Sequence, residues 1–483
     1  MSTQAKKKDL HYLHVVIVLA LMFLFRFLPA PAPITPYGMQ VIGIFLGMLY
    51  GWCLTNNLIW PSLLAFAAMA TTDFGSGMDV MVGLFNNQSV VMIVFGSFLM
   101  GPLAASGAGD YLVYKMLTLK MVAGKPWRIT LMLVVGLYVL SLVVTNQMLI
   151  MLLILSLLPS TLKACGYTPQ DKYPNMLIMG IACAMLLSCM AYPFMNVSLM
   201  PIGTLYASTG LAMDNAKWMI VMIGGSILFL LGFVMMMKLM RCDASKMVNI
   251  SGGELEERFK NGIDSYQKAI LVATAVLLIG CVVVSFFGGT EGIRAFFTKF
   301  GTYGLFLLVP AVMMFIKVDE KPLLTSKMIL DYFPWDLFFC LTAAMFVAGQ
   351  LTAQTTGVSA AAGMLLGSLY SGIGEYWFFL IIGILCYFLT NFLNNIAMMM
   401  VFLSVLYGLF AQGLLADVYT ATLMVTFFSV LGFWAPSGSV QAAMAHSFEM
   451  QDPKTYYKLG VPILLYGFVF LAVFFLPFSM FIF

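Results

Sequence analysis

Two short polar segments interrupt long apolar runs and decide the fold of this chain: SLVVTNQ at residues 141–147 and TNFLNNI at residues 390–396. When Asn146 is aligned with Asn395, 249 positions later, each segment has a hydroxyl residue five positions before the asparagine and a polar residue directly before it. Hydroxyl and amide groups are costly in hydrocarbon unless they have polar partners. The matching segments therefore predict a polar site shared between two structural repeats of a membrane transporter.

The composition indicates a polytopic membrane protein. Hydrophobic residues make up 62% of the 483 residues, charged residues make up 9%, and the mean hydropathy is +0.98. These values argue against a soluble domain. Apolar stretches of about 20 residues recur along the chain, and each is long enough to span a bilayer as a helix. Because the alternation typical of membrane strands is missing from the sequence, we predict helices and not a barrel.

We predict an all-α polytopic membrane protein with about 11 transmembrane helices and two re-entrant hairpins in an inverted repeat. Residues 128–162 and 376–411 are predicted as the hairpins, because each run is long for one span, short for two, and has a polar segment at its centre. The helices are predicted near residues 11–29, 37–55, 57–72, 86–118, 175–210, 217–240, 268–288, 302–317, 331–368, 417–446 and 459–482.

The domain organisation follows from the repeat. The predicted units are residues 1–36 as the cytoplasmic N-terminus and first helix, 37–240 as the first repeat, 241–267 as a cytoplasmic linker, and 268–483 as the second, inverted repeat. A Ser-Gly or Thr-Gly pair precedes each hairpin at a matching position, and a helix interrupted by Pro or Gly follows each hairpin. Five full spans plus a hairpin in each unit invert the second unit relative to the first.

The distribution of Lys and Arg predicts the orientation in the membrane. With the N-terminus in the cytoplasm, only Arg26, Lys217, Arg294 and Lys299 fall outside, and the other basic residues fall inside. This asymmetry is the one that the positive-inside rule describes. We therefore expect a multi-pass protein of the bacterial inner membrane, with its C-terminus outside.

The predicted site is rich in oxygen and poor in charge. Asp110, Asp336, Glu375 and Asp417 all fall near predicted helix ends, whereas a proton-coupled carrier usually buries a carboxylate or a histidine. Sodium needs only hydroxyl, amide and backbone oxygens, and an anion can be held by helix N-termini and amide NH2 groups. The site therefore favours a sodium-coupled anion carrier, although a neutral substrate or a uniporter also fits a neutral site.

The repeated pattern of hairpin and broken helix resembles the divalent anion/sodium symporter family of the ion transporter superfamily. That family has a Ser-Asn-Thr signature at each hairpin tip, and the matching positions here read Thr145-Asn146-Gln147 and Asn394-Asn395-Ile396. The segment Pro334-Trp335-Asp336-Leu337 is also similar to the family, and the resemblance covers residues 37–482. It implies Na+ as the coupling ion and a homodimer.

The resemblance also implies two sodium sites with the substrate between them. The residues implied as sodium ligands are Ser141, Thr145 and Asn146 with carbonyls near Met195, and Thr390, Asn394 and Asn395 with carbonyls near Ala435. The residues implied as substrate contacts are Asn146, Gln147, Asn196, Asn395 and Ser437. Gln147 and Ile396 stand where the family has threonines, so this chain departs from the family at both tips.

We predict sodium-coupled symport of a small organic anion of the di- or tricarboxylate class, by alternating access with a moving core. The core is predicted to contain both hairpins and the helices near 86–118, 175–210, 331–368 and 417–446. A sodium-independent carboxylate antiporter is the main alternative, and a proton-coupled carrier and a channel are further ones. The sequence has no recognisable nucleophile–base pair or metal cluster, so we predict no enzyme, no organic cofactor and no nucleic-acid partner.

Overall fold

The computed structural model describes residues 12–55, 57–85, 90–91, 94–95, 98, 100–117, 125–144, 147–194, 196–247, 262–287, 291–361, 364, 372–393 and 395–483. These residues are helical or form short connections, apart from a two-stranded antiparallel ribbon of β1 (Lys317–Val318) and β2 (Lys321–Pro322). The predicted all-helical class is therefore confirmed. The number of spans and the re-entrant course of the hairpins stay predictions.

The helices of the first half lead from the first apolar segment to the end of the first predicted repeat. They are α1 (Tyr12–Phe27), α2 (Pro36–Thr55), α3 (Ile59–Met69), α4 (Gly77–Phe85), α5 (Met100–Ser106), α6 (Ala108–Leu117), α7 (Pro126–Val144), α8 (Gln147–Ala164), α9 (Lys172–Ser188), α10 (Leu199–Thr209) and α11 (Asn215–Leu239). Residues 145–146 of the first polar segment, between α7 and α8, lie outside the described residues.

The helices of the second half follow the same order. They are α12 (Ser265–Phe287), α13 (Gly292–Phe315), α14 (Ser326–Tyr332), α15 (Trp335–Thr352), α16 (Glu375–Thr390), α17 (Asn395–Ala411), α18 (Val418–Val430), α19 (Val440–His446) and α20 (Pro453–Ile482). By length and apolar composition, α7, α11, α12 and α20 are each long enough to cross a membrane. The second polar segment separates α16 from α17.

Both helices that were predicted to be broken are broken in the structure. Non-helical residues separate α9 from α10 and α18 from α19, and Pro193 and Pro436 lie in these breaks, where they remove a backbone donor. A serine closes each break. Ser198 Oγ donates to the carbonyl six residues before it, and Ser439 Oγ donates to Gly432 O at 2.7 Å. In both breaks, therefore, a serine hydroxyl donates a hydrogen bond to a backbone carbonyl of the interrupted segment.

The helices predicted near 86–118 and 331–368 are too long, because a glycine interrupts each of them. Gly107 separates α5 from α6 with φ of 68°, and Gly357 follows α15 and one 3-10 turn with φ of 67°. Only glycine adopts this left-handed conformation readily. The hydroxyl before each glycine accepts a hydrogen bond from the N–H two positions along, at 3.2 and 3.4 Å. Matching positions in the two halves thus form the same turn.

The beginning of the predicted linker packs against the protein. Cys242 and Met247 are buried, and Tyr167, between α8 and α9, donates its hydroxyl hydrogen to Asp243 O at 2.9 Å. Residues 248–261, which contain the acidic part of the linker, lie outside the described residues. The chain therefore leaves α11 along the loop that joins the first predicted hairpin to the first broken helix.

The two halves interlock through their hairpin arms and broken helices. In one contact α10 packs against α17, and Tyr407 donates its hydroxyl hydrogen to Pro201 O at 3.3 Å. In the reciprocal contact α19 packs against α8 and α9, and Lys163 forms an ion pair with Glu449. Each broken helix therefore contacts an arm of the hairpin predicted in the other half.

Candidate functional site

The predicted site residues divide into those that the structure describes and those that it does not. Outside the described residues lie Thr145, Asn146, Met195 and Asn394, together with the side chain of Asn196. The first predicted sodium site is therefore described only at Ser141. The second is described at Thr390, Asn395 and the carbonyls around Ala435, and it is this tip that can be built from its residues.

At the second tip, Thr390 ends α16 and Asn395 begins α17. Thr390 is fully buried, and its Oγ1 donates to Asn395 Oδ1 at 2.8 Å and also contacts Ser429 O. Asn395 Nδ2 donates to Val430 O at 2.9 Å. The structure therefore brings together the hydroxyl and the amide that the sequence singled out. It also ties both of them to the carbonyls at the end of α18.

Two glycines in the break between α18 and α19 show where oxygen atoms converge. A Cβ atom on Gly438 would lie 3.0 Å from Thr390 O and 3.1 Å from both Asn391 O and Gly432 O. A Cβ atom on Gly432 would lie 2.4 Å from Asn395 Oδ1 and 2.8 Å from Thr390 O. Thr390 O thus lies near both glycines, with Asn391 O and Gly432 O near Gly438 and Asn395 Oδ1 near Gly432. Neutral oxygens of unwound helices are the ligands that sodium sites in transporters use.

The helix ends at this tip have the polarity that a cation and an anion require. Thr390 O belongs to the C-terminal end of α16, and the end of α18 lies beside it through Ser429 and Val430. Helix C-termini have a partial negative charge, which favours a cation. The N-terminus of α17, which begins at Asn395, has a partial positive charge and favours an anion. One tip can therefore serve both ions.

Asn391 and Gly432 were not among the predicted site residues. Asn391 is fully buried, its Nδ2 donates to Tyr387 O at 2.7 Å, and its Oδ1 accepts from Phe433 N and Trp434 N at 3.1 and 2.9 Å. These hydrogen bonds fix the break after α18 against the end of α16 and so place Gly432 O near the tip. The polar segment contained Asn391, but only its contacts with residues more than 40 positions away reveal the role.

At the first tip, two described side chains are buried. Ser141 Oγ donates to Tyr138 O at 2.6 Å, so its hydrogen serves its own helix and only its lone pairs are available to a cation. Gln147 begins α8 and is 7% exposed, and its Nε2 has no hydrogen-bond partner among the described residues. A buried donor without a partner costs about 1–3 kcal/mol. An acceptor oxygen of a ligand would remove this cost.

The remaining predicted positions lie in the second break. Ser437 is exposed there. Ala435 O accepts a hydrogen bond from Gly438 N at 3.1 Å. The carbonyl that approaches the tip is that of Gly432, three residues before Ala435. The prediction of carbonyls near Ala435 as sodium ligands stays a prediction.

The four carboxylates lie in or directly before first helical turns, where the sequence placed them, and Asp110, in the first turn of α6, is buried. Asp336 and Glu375 occupy the first turns of α15 and α16, and Asp417 caps α18 by accepting from Thr420 N at 2.8 Å. Such positions suit acidic side chains because helix N-termini are partly positive. The oxygen cluster at the second tip is therefore formed by neutral groups.

These features define a polytopic helical membrane protein with a neutral polar site at its helix breaks. The sequence matches the family described as the sodium:sulfate symporter transmembrane region over residues 8–483, and the chain belongs to this family. No curated relative matches the sequence. Membership confirms the resemblance to divalent anion/sodium symporters and supports sodium-coupled anion transport across a membrane, with Na+ as the coupling ion.

Replacing Asn395 with alanine should weaken the apparent sodium affinity of transport. The change removes Oδ1 from the oxygen cluster and leaves Val430 O without its donor. Losing one partner at a buried polar site costs about 1–3 kcal/mol, or roughly ten- to hundredfold in affinity. Sodium titration of uptake in vesicles measures the effect. Asn215→Ala, at the start of α11, is the matched control. Equal sodium affinity in both folded variants would contradict the assignment.

Proposed function

We propose that the protein couples the inward movement of sodium to the uptake of a small divalent organic anion of the di- or tricarboxylate class. The observation that carries this proposal is the convergence of Thr390 O, Asn391 O, Gly432 O and Asn395 Oδ1 at the negative ends of two helices. Such a group of neutral oxygens suits Na+ and has no carboxylate that would bind a proton. A sodium-independent exchanger would not need it.

The substrate is proposed to bind between the two tips. Gln147 offers an amide NH2 group that has no partner among the described residues. This amide donor and the N-terminus of α17 suit an anion without an arginine. An extended dicarboxylate has one carboxylate for each tip. Sulfate is the second candidate, because it is the anion in the description of the family.

Transport is proposed to proceed by alternating access, with a core that moves against a scaffold. We propose one change in the membership of these two bodies, supported by the hydrogen bonds between the start of α2 and the region of α15. Thr35, at the start of α2, donates through N to Thr356 O at 3.0 Å and through Oγ1 to Thr355 O at 2.7 Å. Tyr37 also donates to Gln350 Oε1 at 3.1 Å. We therefore assign α15 to the scaffold with α2, and not to the core as the sequence suggested.

Helices α11 and α20 are assigned to the core because each of them is hydrogen-bonded to one of the two helix breaks. Trp218 of α11 donates through Nε1 to Met190 O in the first break at 3.0 Å. Tyr456 of α20 donates to Phe433 O in the second break at 2.8 Å. These buried contacts hold both helices to the segments that form the site. They must therefore move with the site if its geometry is to survive the transition.

A cavity of about 430 Å³ lies between the proposed bodies. Phe74 and Leu84, near α3 and α4, line one side together with Phe346 of α15, and Tyr206 and Ala207 of α10 line the other. Packed helices cannot slide without free volume, because protein interiors are close-packed. The cavity supplies that volume at the boundary between core and scaffold.

The proposed setting is the bacterial inner membrane, with the N-terminus inside and the C-terminus outside. Support comes from the asymmetry of Lys and Arg and from four helices that are long enough to span a bilayer. A homodimer through scaffold helices is proposed from family resemblance.

Replacing external sodium with choline should reduce uptake of labelled dicarboxylate to the leak of protein-free vesicles. The reason is that accumulation draws its free energy from the sodium gradient. Uptake is measured in reconstituted vesicles with sodium, potassium or choline outside, using succinate, citrate or sulfate as substrates. Uptake that follows a pH gradient regardless of sodium would overturn the proposal. Counterflow at full rate without sodium would indicate an exchanger, and a preference for sulfate would correct only the substrate class.

A further inference from the structure

A second polar cavity lies at the start of α9 and just beyond the end of α11, away from the helix break that follows α9. It has a volume of about 200 Å³ and is formed by three segments: the loop between α8 and α9, the start of α9, and the chain that follows α11. Its lining residues are Tyr167, Asp171, Lys172, Tyr173, Arg241, Asp243 and Lys246. The positive-inside rule places this end of α11 in the cytoplasm.

Among the described residues, the cations around this cavity form no ion pairs. Lys172 Nζ donates to Met240 O at 3.2 Å, and Lys246 Nζ donates to Gly166 O at 3.2 Å. The Arg241 side chain has no hydrogen bond or ion pair among the described residues. All three side chains are exposed at the surface. Three cations thus converge on one cavity with carbonyl partners or none.

The two acidic residues of the cavity accept hydrogen bonds from nearby residues of their own turns. Asp171 Oδ2 accepts from Thr168 N at 2.8 Å. Asp243 Oδ1 accepts from Ser245 N and Oγ at 2.9 and 2.6 Å. The Ser245 hydroxyl and amide hold the pKa of Asp243 below its usual range, so it is ionised at neutral pH. Counting both carboxylates, the lining keeps one net positive charge, which matches a phosphodiester.

The cavity wall contains two buried aromatic rings. Tyr167 and Tyr173 are buried and stacked with centroids 5.0 Å apart. Lys246 Nζ lies 5.2 Å from the centre of the Tyr167 ring. This contact places the lysine ammonium group beside the aromatic wall of the cavity.

An apolar track leads along α11 to the cavity. Leu228, Leu231, Met235 and Leu239 are spaced three or four residues apart and are 41 to 64% exposed, so they form one outward face. Lys238 Nζ lies 5.0 Å from the centre of the Trp127 ring. Tryptophan beside lysine is typical of the membrane interface. The cavity therefore lies at headgroup depth, directly beyond a face that suits acyl chains.

We propose that this cavity binds the phosphate headgroup of an anionic glycerophospholipid of the cytoplasmic leaflet, with its acyl chains along the exposed face of α11. The planar guanidinium of Arg241 can donate two parallel hydrogen bonds to phosphate oxygens. The ammonium groups of Lys172 and Lys246 add positive charge. Basic pockets beside cytoplasmic helix ends bind lipid headgroups in this way. The bound headgroup contacts the loop after the first predicted hairpin, the start of α9 and the start of the linker.

Native mass spectrometry of the detergent-purified chain tests this site without any transport measurement. The probe is short-chain phosphatidylglycerol, compared with phosphatidylcholine of the same chains, with glycerol 3-phosphate and with inorganic phosphate. The test variant is Arg241→Gln with Lys246→Gln, and the matched control is Lys454→Gln with Lys458→Gln, two exposed lysines near the start of α20. Each cation removed is expected to weaken phosphatidylglycerol binding about fivefold.

The expected result is retention of phosphatidylglycerol by the wild type and the control, and its loss from the test variant. Arg241→Gln alone should show the smaller loss, and because this side chain has no partner among the described residues, the single variant remains informative if the double variant misfolds. Equal retention by test and control variants would overturn the site. Thermal stabilisation by inorganic phosphate equal to that by phosphatidylglycerol would replace the lipid with a soluble phosphate and also overturn the proposal.

Discussion

Replacing Gly432 with alanine is expected to abolish sodium-dependent uptake while leaving the protein folded. The added Cβ would lie 2.4 Å from Asn395 Oδ1 and 2.8 Å from Thr390 O, so it would occupy the space between two of the converging oxygens. Gly432 does not have a positive φ, so its backbone conformation is open to alanine, and the contact with the Thr390 carbonyl must be relieved by a local shift at the tip. Uptake in vesicles and thermal stability measure the two outcomes.

The matched control is Gly224→Ala in α11. A Cβ there would have no neighbour closer than 3.9 Å, the Phe478 ring, and alanine is favoured over glycine in a helix by about 1 kcal/mol. This variant should transport normally with equal or higher stability. Normal uptake and sodium affinity in a folded Gly432→Ala protein would show that the oxygen cluster is structural and does not bind the cation.

A disulfide between positions 207 and 349 is expected to stop transport completely. In Ala207→Cys with Gly349→Cys, the two Cβ atoms would lie 3.2 Å apart, close to the separation that a disulfide requires. The bond would join α10 of the proposed core to α15 of the proposed scaffold beside the cavity between them. Oxidation should therefore arrest the relative motion, and reduction should restore uptake.

A cysteine pair within one body provides the control for this experiment. In Ala70→Cys with Gly77→Cys, the Cβ atoms would lie 3.9 Å apart, and the positions directly after α3 and at the start of α4 both belong to the proposed scaffold. Oxidation of this pair should leave uptake unchanged. Full uptake by the oxidised 207/349 pair, with the crosslink verified by mass spectrometry, would show that α10 and α15 do not separate during transport.

Much of the fold was predictable because local chemistry fixes it. Apolar composition required helices in a bilayer, and Pro193 and Pro436 indicated the two breaks that the structure shows. The repeated Gly107 and Gly357 were recognised as matching positions, but the helices around them were predicted too long. A single glycine in an apolar run does not reveal its φ, because glycine tolerates both helical and left-handed backbone.

The candidate site was predictable only where its ligands are side chains. Thr390 and Asn395 stood out because a hydroxyl and an amide are conspicuous in an apolar run, and the structure joins them by a 2.8 Å hydrogen bond. The carbonyls of Asn391 and Gly432 could not stand out, because every residue has a carbonyl. Which of them become available depends on where two helices end and how those ends pack.

By itself the sequence determined that the chain is helical and membrane-embedded, that its two halves have matching polar breaks, and that the described tip is neutral. The tertiary structure decided which oxygens meet at the second tip, which helices are held to the broken segments, and that Lys172, Arg241 and Lys246 share one cavity. The physical reason is the distance along the chain over which each effect acts. Hydropathy and backbone preference act over a few neighbouring residues, whereas each of these groupings joins segments that are tens of residues apart and meet only through helix packing.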